Sequence, residues 1–397
     1  MNIEWKILMN NFKIPKIRFN NFKAFWVEKR IADIVNISAG GDVDKERLKE
    51  SGKYPVIANA LTNKGIVGFY DDYKVKAPAV TVTGRGDVGY AVARHENFTP
   101  IVRLLTLQSE NIDVDYLENQ INSMRILNES TGVPQLTAPQ LGNYKVYHPE
   151  IDEQSAIGSL FRTLDDLLAS YKVNLANYQS LKATMLSKMF PKAGQTVPEI
   201  RLDGFDGEWK LYELKSRTET ITKGTTPKDK SWQGEVNYIK TESINRDSGS
   251  LVRTASTSLE EHLGYLKRSQ LKEGDVLFSI VGTLGVVGLV DKKDLPANTN
   301  QQIAIIRLNR DNAIFMLNFL KSPRIKSFIK SDSTIGAQPS LSLWQIEKIK
   351  VSLPPSLEEQ QSIGTYFSNL DNLIAAHQEK ISQLETLKKK LLQDMFI

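Results

Sequence analysis

Two long stretches of the chain place apolar residues at a spacing that alternates between three and four. The first, residues 149–191, carries this pattern from Ile157 through Leu181 to its end, and residues 355–397 repeat it. Such a pattern, sustained over about five heptads, is typical of a coiled coil. Proline precedes both periodic parts and is absent within them. We therefore predict two helices of about 35 residues, each roughly 50 Å long.

Each predicted helix has an apolar face that needs a partner, so we expect the two helices to pack against each other. In an antiparallel pair the helix centres meet, which would place Tyr171 near His377. Because His377 stands where the first helix has Tyr171, we interpret it as a packing residue and not as a metal ligand. The residues expected on the face used for coiled-coil or partner contacts are Ile157, Phe161, Leu164, Leu168, Tyr171, Ile363, Phe367, Leu370, Ile374 and His377.

The two helical stretches are copies of each other. DEQSAIGSLFRTLD at 152–165 matches EEQQSIGTYFSNLD at 358–371 without a gap, at an offset of 206 residues. A second match joins IPKIRFNNFKAFWVEKRI at 14–31 to VPEIRLDGFDGEWKLYEL at 197–214, at an offset of 183 residues. The chain is therefore a tandem duplication with a pseudo-two-fold internal repeat. The stretch between the two motifs, called here the variable segment, is 23 residues longer in the second copy.

The variable segments have a different character from the helices. Residues 54–108 and 236–308 are rich in β-branched residues, glycine and turn signals, which predicts short strands joined by tight turns. Short helices are predicted at 113–124 and 314–329. The predicted fold class is α+β, with two α/β domains in tandem, separated by two long antiparallel coiled-coil helices. The predicted boundaries are an extension at 1–13, a first domain at 14–150, a first helix at 151–193, a second domain at 194–353 and a second helix at 354–397.

Composition removes several classes of protein. The chain has no cysteine, which excludes disulfides, thiol catalysis and thiolate zinc sites, and its four histidines are far apart. No apolar run is long enough for a membrane span or a signal peptide, so we expect a cytoplasmic protein without membrane contact. The net charge of +5 permits nucleic-acid binding without requiring it.

Motifs that would indicate catalysis are weak or missing. GRGDVG at 84–89 fits a dinucleotide pattern, but the β-branched sequence that follows predicts a tight β-turn and a strand instead of a helix. Asp206, Glu208 and Lys210 form a loose nuclease pattern that the first copy lacks. No phosphate-binding P-loop and no N-P-P-[FYW] methyltransferase signature occurs. We therefore expect no catalytic residue, no metal and no cofactor.

Polar loops of the variable segments combine Arg or Lys with Asn, Gln, Thr and Gly. Cations suit phosphates and guanine edges, whereas amides suit adenine. Each residue taken alone could also be an ordinary surface residue. Besides the loop at 130–137, the candidates for DNA contact are Asn59, Asn63, Lys64, Arg85, Arg94, Lys223, Thr225, Lys228, Lys240, Asn245, Arg246, Thr283, Asn300, Gln338 and Ser340.

The order of these motifs resembles the specificity subunit of type I restriction–modification systems. The resemblance runs from residue 14 to 397 and is carried by P-x-I-R-[FL]-x-x-F-x-x-x-W and E-Q-x-x-I-G-x-x-F-x-x-L-D, each present twice. The first copy of the opening motif differs from the second, with Asn20-Asn21 where the second has Asp203-Gly204. Residues 1–13 match no part of the family pattern.

The resemblance implies a non-catalytic DNA reader. In that family each variable segment is a target recognition domain for one half of a bipartite site in double-stranded DNA. The helices separate the two domains and dock two methyltransferase subunits, and restriction subunits join through the complex. Two alternatives stay open at this point: a nuclease or methyltransferase that acts alone, and a coiled-coil adaptor that does not bind DNA.

Overall fold

The computed structural model describes residues 12–124, 126, 135–334 and 338–396. The chain forms two compact units. Unit 1 consists of Met1–Lys172 and Glu379–Ile397, and unit 2 consists of Val173–Gln378. The boundary cuts through both long helices, so each unit contains a variable segment and a part of each helix.

Unit 1 mixes short strands with helices. Its strands are β1 (Phe12–Lys13), β2 (Trp26–Arg30), β3 (Asn36–Ala39), β4 (Tyr54–Ile57), β5 (Ile66–Tyr70), β6 (Ala79–Val82), β7 (Ala91–Arg94), β8 (Thr99–Pro100), β9 (Leu105–Gln108) and β10 (Lys145–His148). Its helices are α1 (Ile31–Ile34), α2 (Val114–Ser123), α3 (Ala138–Asn143) and the first part of α4 (Ile151–Lys188). The strand orders are β1-β2-β10, β3-β9-β6-β7 and β5-β4-β8, with β4 and β8 parallel.

Unit 2 repeats this layout. Its strands are β11 (Lys210–Glu213), β12 (Thr218–Lys223), β13 (Val236–Ile239), β14 (Ser256–Thr257), β15 (Val276–Ser279), β16 (Val287–Leu289), β17 (Ala297–Thr299), β18 (Ile303–Leu308) and β19 (Lys350–Leu353). Its helices are α5 (Leu259–Leu263), α6 (Ala313–Lys321), α7 (Pro323–Asp332), α8 (Leu343–Glu347) and the first part of α9 (Leu357–Asp394). The order β11-β19 matches the β2-β10 part of the first sheet of unit 1, and β12-β18-β15-β16 and β14-β13-β17 match its other two sheets. Strands β13 and β17 pair in parallel.

The short helices begin at polar caps. The Asp113 carboxylate accepts a hydrogen bond from the Tyr116 amide at 2.9 Å at the start of α2, and Asn312 does the same for the Phe315 amide at the start of α6. The helix predicted at 113–124 is confirmed as α2. The single helix predicted at 314–329 is wrong, because it is divided into α6 and α7 at Pro323. Proline lacks a backbone N–H and disfavours a helical conformation in the residue before it.

The two long helices predicted from the periodic pattern are confirmed. Each has 38 residues, which corresponds to about 57 Å. They run antiparallel within each unit. In unit 1, Asp165 pairs with Lys388 at 2.6 Å, and in unit 2 the ring of Tyr178 meets that of His377 at 5.1 Å. The proximity of Tyr171 to His377 concerns residues of different units and stays a prediction.

The contact face predicted for the helices is largely buried. Eight of its ten residues are at most 8% exposed, while Tyr171 and His377 are partly exposed. The buried residues are Ile157, Phe161, Leu164, Leu168, Ile363, Phe367, Leu370 and Ile374. Seven of these side chains, all except Ile374, belong to the apolar cores of the units.

The end of each helix completes the unit that contains the other variable segment. In unit 1, Phe396 packs against Tyr116 and Phe161. In unit 2, Phe190 packs against Trp209 and stacks on Phe367. Each unit therefore needs residues from both copies of the repeat.

Among the described residues, no helix is both long enough and apolar enough to cross a bilayer.

Candidate nucleic-acid interface

A buried clamp joins the opening motif of each copy to the start of its long helix. In unit 1, the Arg18 guanidinium makes two hydrogen bonds of 2.6 Å to the Glu153 carboxylate. The indole Nε1 of Trp26 donates to the same carboxylate at 3.2 Å. Through its hydrogen bonds with the Arg18 guanidinium, the Glu153 carboxylate raises the pKa of Arg18, although burial acts to lower that pKa.

Unit 2 repeats the clamp with equivalent residues. Arg201 makes hydrogen bonds of 2.8 and 2.7 Å to Glu359, and the Trp209 indole donates to Glu359 at 3.3 Å. Both glutamates are at most 2% exposed. The residues that the two copies share therefore build one recurring frame.

The residue after each clamp glutamate fixes a short helix of the variable segment. The Gln154 side chain accepts from the Asp113 amide at 3.2 Å, and Gln360 accepts from the Asn312 amide at 2.9 Å. A Cβ on Gly158 would collide with the Asp113 carboxylate. The E-Q-x-x-I-G motif thus anchors each variable segment to its long helix, and the polar loops are held by this frame.

A glycine turn carries candidate residues in both units. The turn at 83–89 is closed by a bond from the Thr83 hydroxyl to the Asp87 carbonyl, and the turn at 279–285 by a 2.6 Å bond from Ser279 to the Thr283 carbonyl. Left-handed φ angles occur at the equivalent glycines 86 and 282 and again at 89 and 285. Strand β7 follows the first turn, so the prediction of a β-turn for GRGDVG is confirmed.

The turn equivalence identifies the unit 2 residue at the position of Arg85. Arg85 forms a bridge with Gln135, and the equivalent bridge of unit 2 joins Val281 to Ser340. Val281 therefore occupies the position of Arg85 in unit 2. Arg85 itself is exposed, as a DNA contact requires, and a basic residue at this position occurs in unit 1 only.

Other DNA-contact candidates of unit 1 lie in the loop next to the turn that carries Arg85. Asn59 accepts from the Gly84 amide at 2.7 Å and donates to the Val102 carbonyl at 2.6 Å, which ties two loops together. Asn63 and Lys64 are exposed and have left-handed φ angles of 48° and 49°. Such conformations are uncommon outside glycine and need support from their surroundings.

Arg94 supplies part of that support. Its side chain is 9% exposed, and it donates to the Thr81 hydroxyl at 2.9 Å and to the Lys64 carbonyl at 2.7 Å. Burial lowers the pKa of Arg94 to about 10. This burial argues against a direct contact with DNA, and we reassign Arg94 as a support of the Lys64 turn.

In unit 2, a loop from 223 to 235 combines basic and aromatic side chains. Lys240 lies 3.5 Å from the ring centroid of Trp232, and Lys228 lies 4.8 Å from that of Tyr265. Trp232 has a left-handed φ of 57°. Neither aromatic residue was a sequence candidate, because their partners lie 8 and 37 residues away along the chain. Cation–π pairs of this kind hold lysines over ring faces.

The remaining candidates of unit 2 fall into two groups. Three of them mainly shape the backbone: Asn245 accepts from the amides of 247 and 248, Thr225 donates its amide to the Thr299 carbonyl, and Asn300 accepts from the Gln302 amide. The others lie at least partly on the surface; these are Lys223, Arg246, Thr283, Gln338 and Ser340. The candidate loop at 130–137 lies mostly outside the described residues.

The arrangement provides two polar surfaces with different chemistry on equivalent frames. Unit 1 has Arg85, Asn63 and Lys64 on this surface. Unit 2 has lysines that lie over the aromatic rings of Trp232 and Tyr265. Within the described part of the chain, no group of three or more His, Asp or Glu is placed to hold a metal ion.

Comparison with known proteins gives one family. The model of the type I restriction modification DNA specificity domain matches residues 24–177 and 206–386. The chain is 26% identical over 370 residues to a type I specificity subunit of Mycoplasma pneumoniae, covering 92% of this chain and 94% of the relative. It is 23% identical to the MjaVIII restriction enzyme specificity subunit of Methanocaldococcus jannaschii, covering 66% of this chain and 64% of the relative.

A solved structure has a similar fold. The S subunit of a type I restriction–modification system from Mycoplasma genitalium aligns with a TM-score of 0.66 at 18% identity. The alignment covers 97% of this chain and 99% of that one.

Proposed function

The chain belongs to the family of type I restriction modification DNA specificity domains, and from this premise we propose how it provides DNA sequence specificity within a restriction–modification complex. Each variable segment binds one half of a bipartite site in double-stranded DNA. The long helices set the distance between the half-sites and dock two methyltransferase subunits, and restriction subunits join through the complex. The chain itself carries no catalytic group.

One observation carries this proposal: equivalent frames support different loops. The clamps of Arg18 with Glu153 and of Arg201 with Glu359 have the same partners and nearly the same distances. The residues at equivalent turn positions differ, since Arg85 is exposed whereas its equivalent Val281 is partly buried. A duplicated frame with different reading surfaces fits a protein that binds two different half-sites while offering similar docking surfaces to identical partners.

The electrostatics of the loops fit a DNA ligand. Arg85, Lys64 and Lys223 are exposed cations, and cations of this kind attract phosphates at long range and make the affinity depend on salt. Sequence preference would come from contacts to base edges by neighbouring amides and hydroxyls.

A segment exchange tests the two-domain proposal. Residues 30–148 are replaced by the first variable segment of another family member, and the hybrid is expressed with methyltransferase partners. Mapping of methylated adenines in the host genome should show one changed half-site and one unchanged half-site. An exchange of the second variable segment is the matched control and should change the other half. A change of both halves in either hybrid would contradict the proposal.

Binding to duplex DNA separates this function from that of a coiled-coil adaptor. The full chain with methyltransferase partners should bind duplex DNA, and the affinity should fall as the salt concentration rises. An adaptor would bind the partners and leave DNA unbound at every salt concentration.

A further inference from the structure

Unit 2 contains an open cavity beside the second part of α4. Its volume is about 540 Å³, which lies within the roughly 300–1,000 Å³ typical of small-molecule sites. Part of its wall is apolar and comes from Leu186, Leu284, Leu320 and Ile329. Such a wall accommodates the organic part of a ligand.

The wall also contains four basic residues. Lys182 of α4, Arg246, Lys321 at the end of α6 and Lys326 of α7 all line the cavity, and Asp247 is the single acidic residue among the described lining residues. The cations come from four different elements of the fold. Their excess over carboxylates gives the cavity a positive potential.

The four cationic side chains differ in whether a carboxylate neutralises their charge. Lys182 is buried and paired with Asp371, and it also donates to the Asp247 carbonyl at 2.5 Å. Lys321 donates to the same carbonyl at 2.9 Å. Arg246 and Lys326 are exposed, and among the described residues neither has an ion pair with a carboxylate. Positive charge is therefore available to a ligand at the rim.

The described lining of the equivalent groove in unit 1 lacks this charge. It lies against the turn at 86–89 and the end of α2, where Asn122 occupies the position of Lys321 and Asp87 that of Thr283. Within its described lining no Lys or Arg occurs. The repeated fold thus does not require a basic groove. Because like charges at close range repel each other, their concentration in unit 2 indicates an anionic ligand.

We propose that the unit 2 cavity binds the phosphate group of a small organic molecule of mononucleotide size, with the phosphate at Arg246, Lys321 and Lys326 and the organic part against the apolar wall. Guanidinium and ammonium groups make strong charge-assisted hydrogen bonds to phosphate oxygens. The inference rests on the lining of unit 2 and goes beyond the function proposed above, with which it shares Arg246.

Isothermal titration calorimetry on the purified full chain tests the site. The probes are adenosine 5′-monophosphate, inorganic phosphate and adenosine. We expect saturable binding of the monophosphate and none of adenosine. The double variant Arg246→Ala/Lys326→Ala should weaken phosphate binding about ten-fold or more, because two charged contacts are lost. Lys330→Ala on the same helix α7 is the matched control, since Lys330 is exposed and does not line the cavity.

Three outcomes would overturn the proposal. The first is that neither phosphate probe binds to the wild-type chain at millimolar concentration. The second is that the double variant binds the probes as tightly as the wild-type chain does. In the third, the double variant loses affinity for duplex DNA while the wild-type chain ignores both free phosphates, which would assign the cavity to a DNA backbone phosphate. Binding of adenosine 5′-monophosphate that is weakened in the double variant and kept in Lys330→Ala supports the proposal.

Discussion

Arg18 and Glu153 are separated by 135 residues in the chain, and their side chains form a two-point ion pair that is almost completely shielded from water. The pair joins the opening motif to the first turn of α4. Its equivalent in unit 2, Arg201 with Glu359, is just as buried. The two pairs explain why arginine and glutamate recur at matching positions of the repeat.

Glu153→Gln should destabilise the protein by about 3–5 kcal/mol, because it leaves a buried guanidinium without its counter-charge. Urea unfolding followed by circular dichroism measures the change, and Glu359→Gln should have a similar effect. Glu385→Gln is the control, since the pair of Glu385 with Lys172 is more than half exposed and should contribute little. Equal effects of Glu153→Gln and Glu385→Gln would contradict a structural role for the clamp.

Replacing Leu164 and Leu370 with Asp should abolish assembly with methyltransferase subunits. Both leucines are at most 6% exposed, and burying an unpaired carboxylate is costly. Size-exclusion chromatography of the mixed subunits detects the complex. Leu167→Asp with Leu373→Asp is the matched control on the same two helices, because these leucines are 43% and 41% exposed. A stable complex with the first double variant would contradict the role of the helices as a scaffold.

Arg85→Ala should weaken DNA binding by about 1–3 kcal/mol if the guanidinium reaches a base. The affinity is measured at fixed salt with a duplex that carries the recognised site. Lys23→Ala, an exposed cation of the opening motif, is the control for a general loss of charge. An unchanged affinity for Arg85→Ala would identify an ordinary surface arginine.

The stability of unit 2 should rise as the pH increases above about 7. Burial, and then the neighbouring charge of Lys182, lower the pKa of Lys321 to about 7, below the roughly 10.4 of an unfolded lysine. Between these values the unfolded chain binds a proton that the folded chain has released, so raising the pH favours the folded state. Besides Lys182, the charged groups that line this region are Arg246, Asp247, Lys326 and Asp371.

Thermal unfolding between pH 6.5 and 9 tests this expectation. Lys321→Met should be more stable than the wild-type chain at the acidic end and should lose part of the pH dependence. Lys330→Met is the control and should keep the wild-type slope. A wild-type slope in Lys321→Met would show that the pH dependence has another source.

Helix length should set the distance between half-sites. Inserting four residues near 172 and four near 378 lengthens each helix by about 6 Å, which corresponds to roughly one or two base pairs. Mapping of methylated adenines should show the same half-sites with a longer spacer, or no activity if the added rotation misplaces one domain. An active protein with altered half-site bases and an unchanged spacer would contradict this prediction.

The sequence by itself determined the two long helices, because their periodicity is a local property of each stretch. It also determined helix α2, the turn at 84–89 and the tandem repeat. The break before Pro323 was equally readable from the sequence, since proline has well-known local effects, and the prediction of one continuous helix overlooked it.

Only the tertiary structure decided which residues of the helices are buried. Leu181 belongs to the apolar pattern of the first helix, yet it is 38% exposed and its neighbour Lys182 is 6% exposed. The reason is that Asp371, 189 residues away, neutralises the lysine within the core of unit 2. No local pattern contains that information.

Contacts between distant residues also explain why the predicted DNA-contact residues differ from those that the structure exposes. Arg85 and Arg94 look alike in the sequence, but Arg85 is exposed whereas Arg94 is enclosed by Thr81 and the Lys64 carbonyl. The equivalent of Arg85 is fixed as Val281 by its bridge to Ser340. Whether a cation faces solvent or supports a turn depends on contacts between distant parts of the chain, and these exist only once the chain has folded.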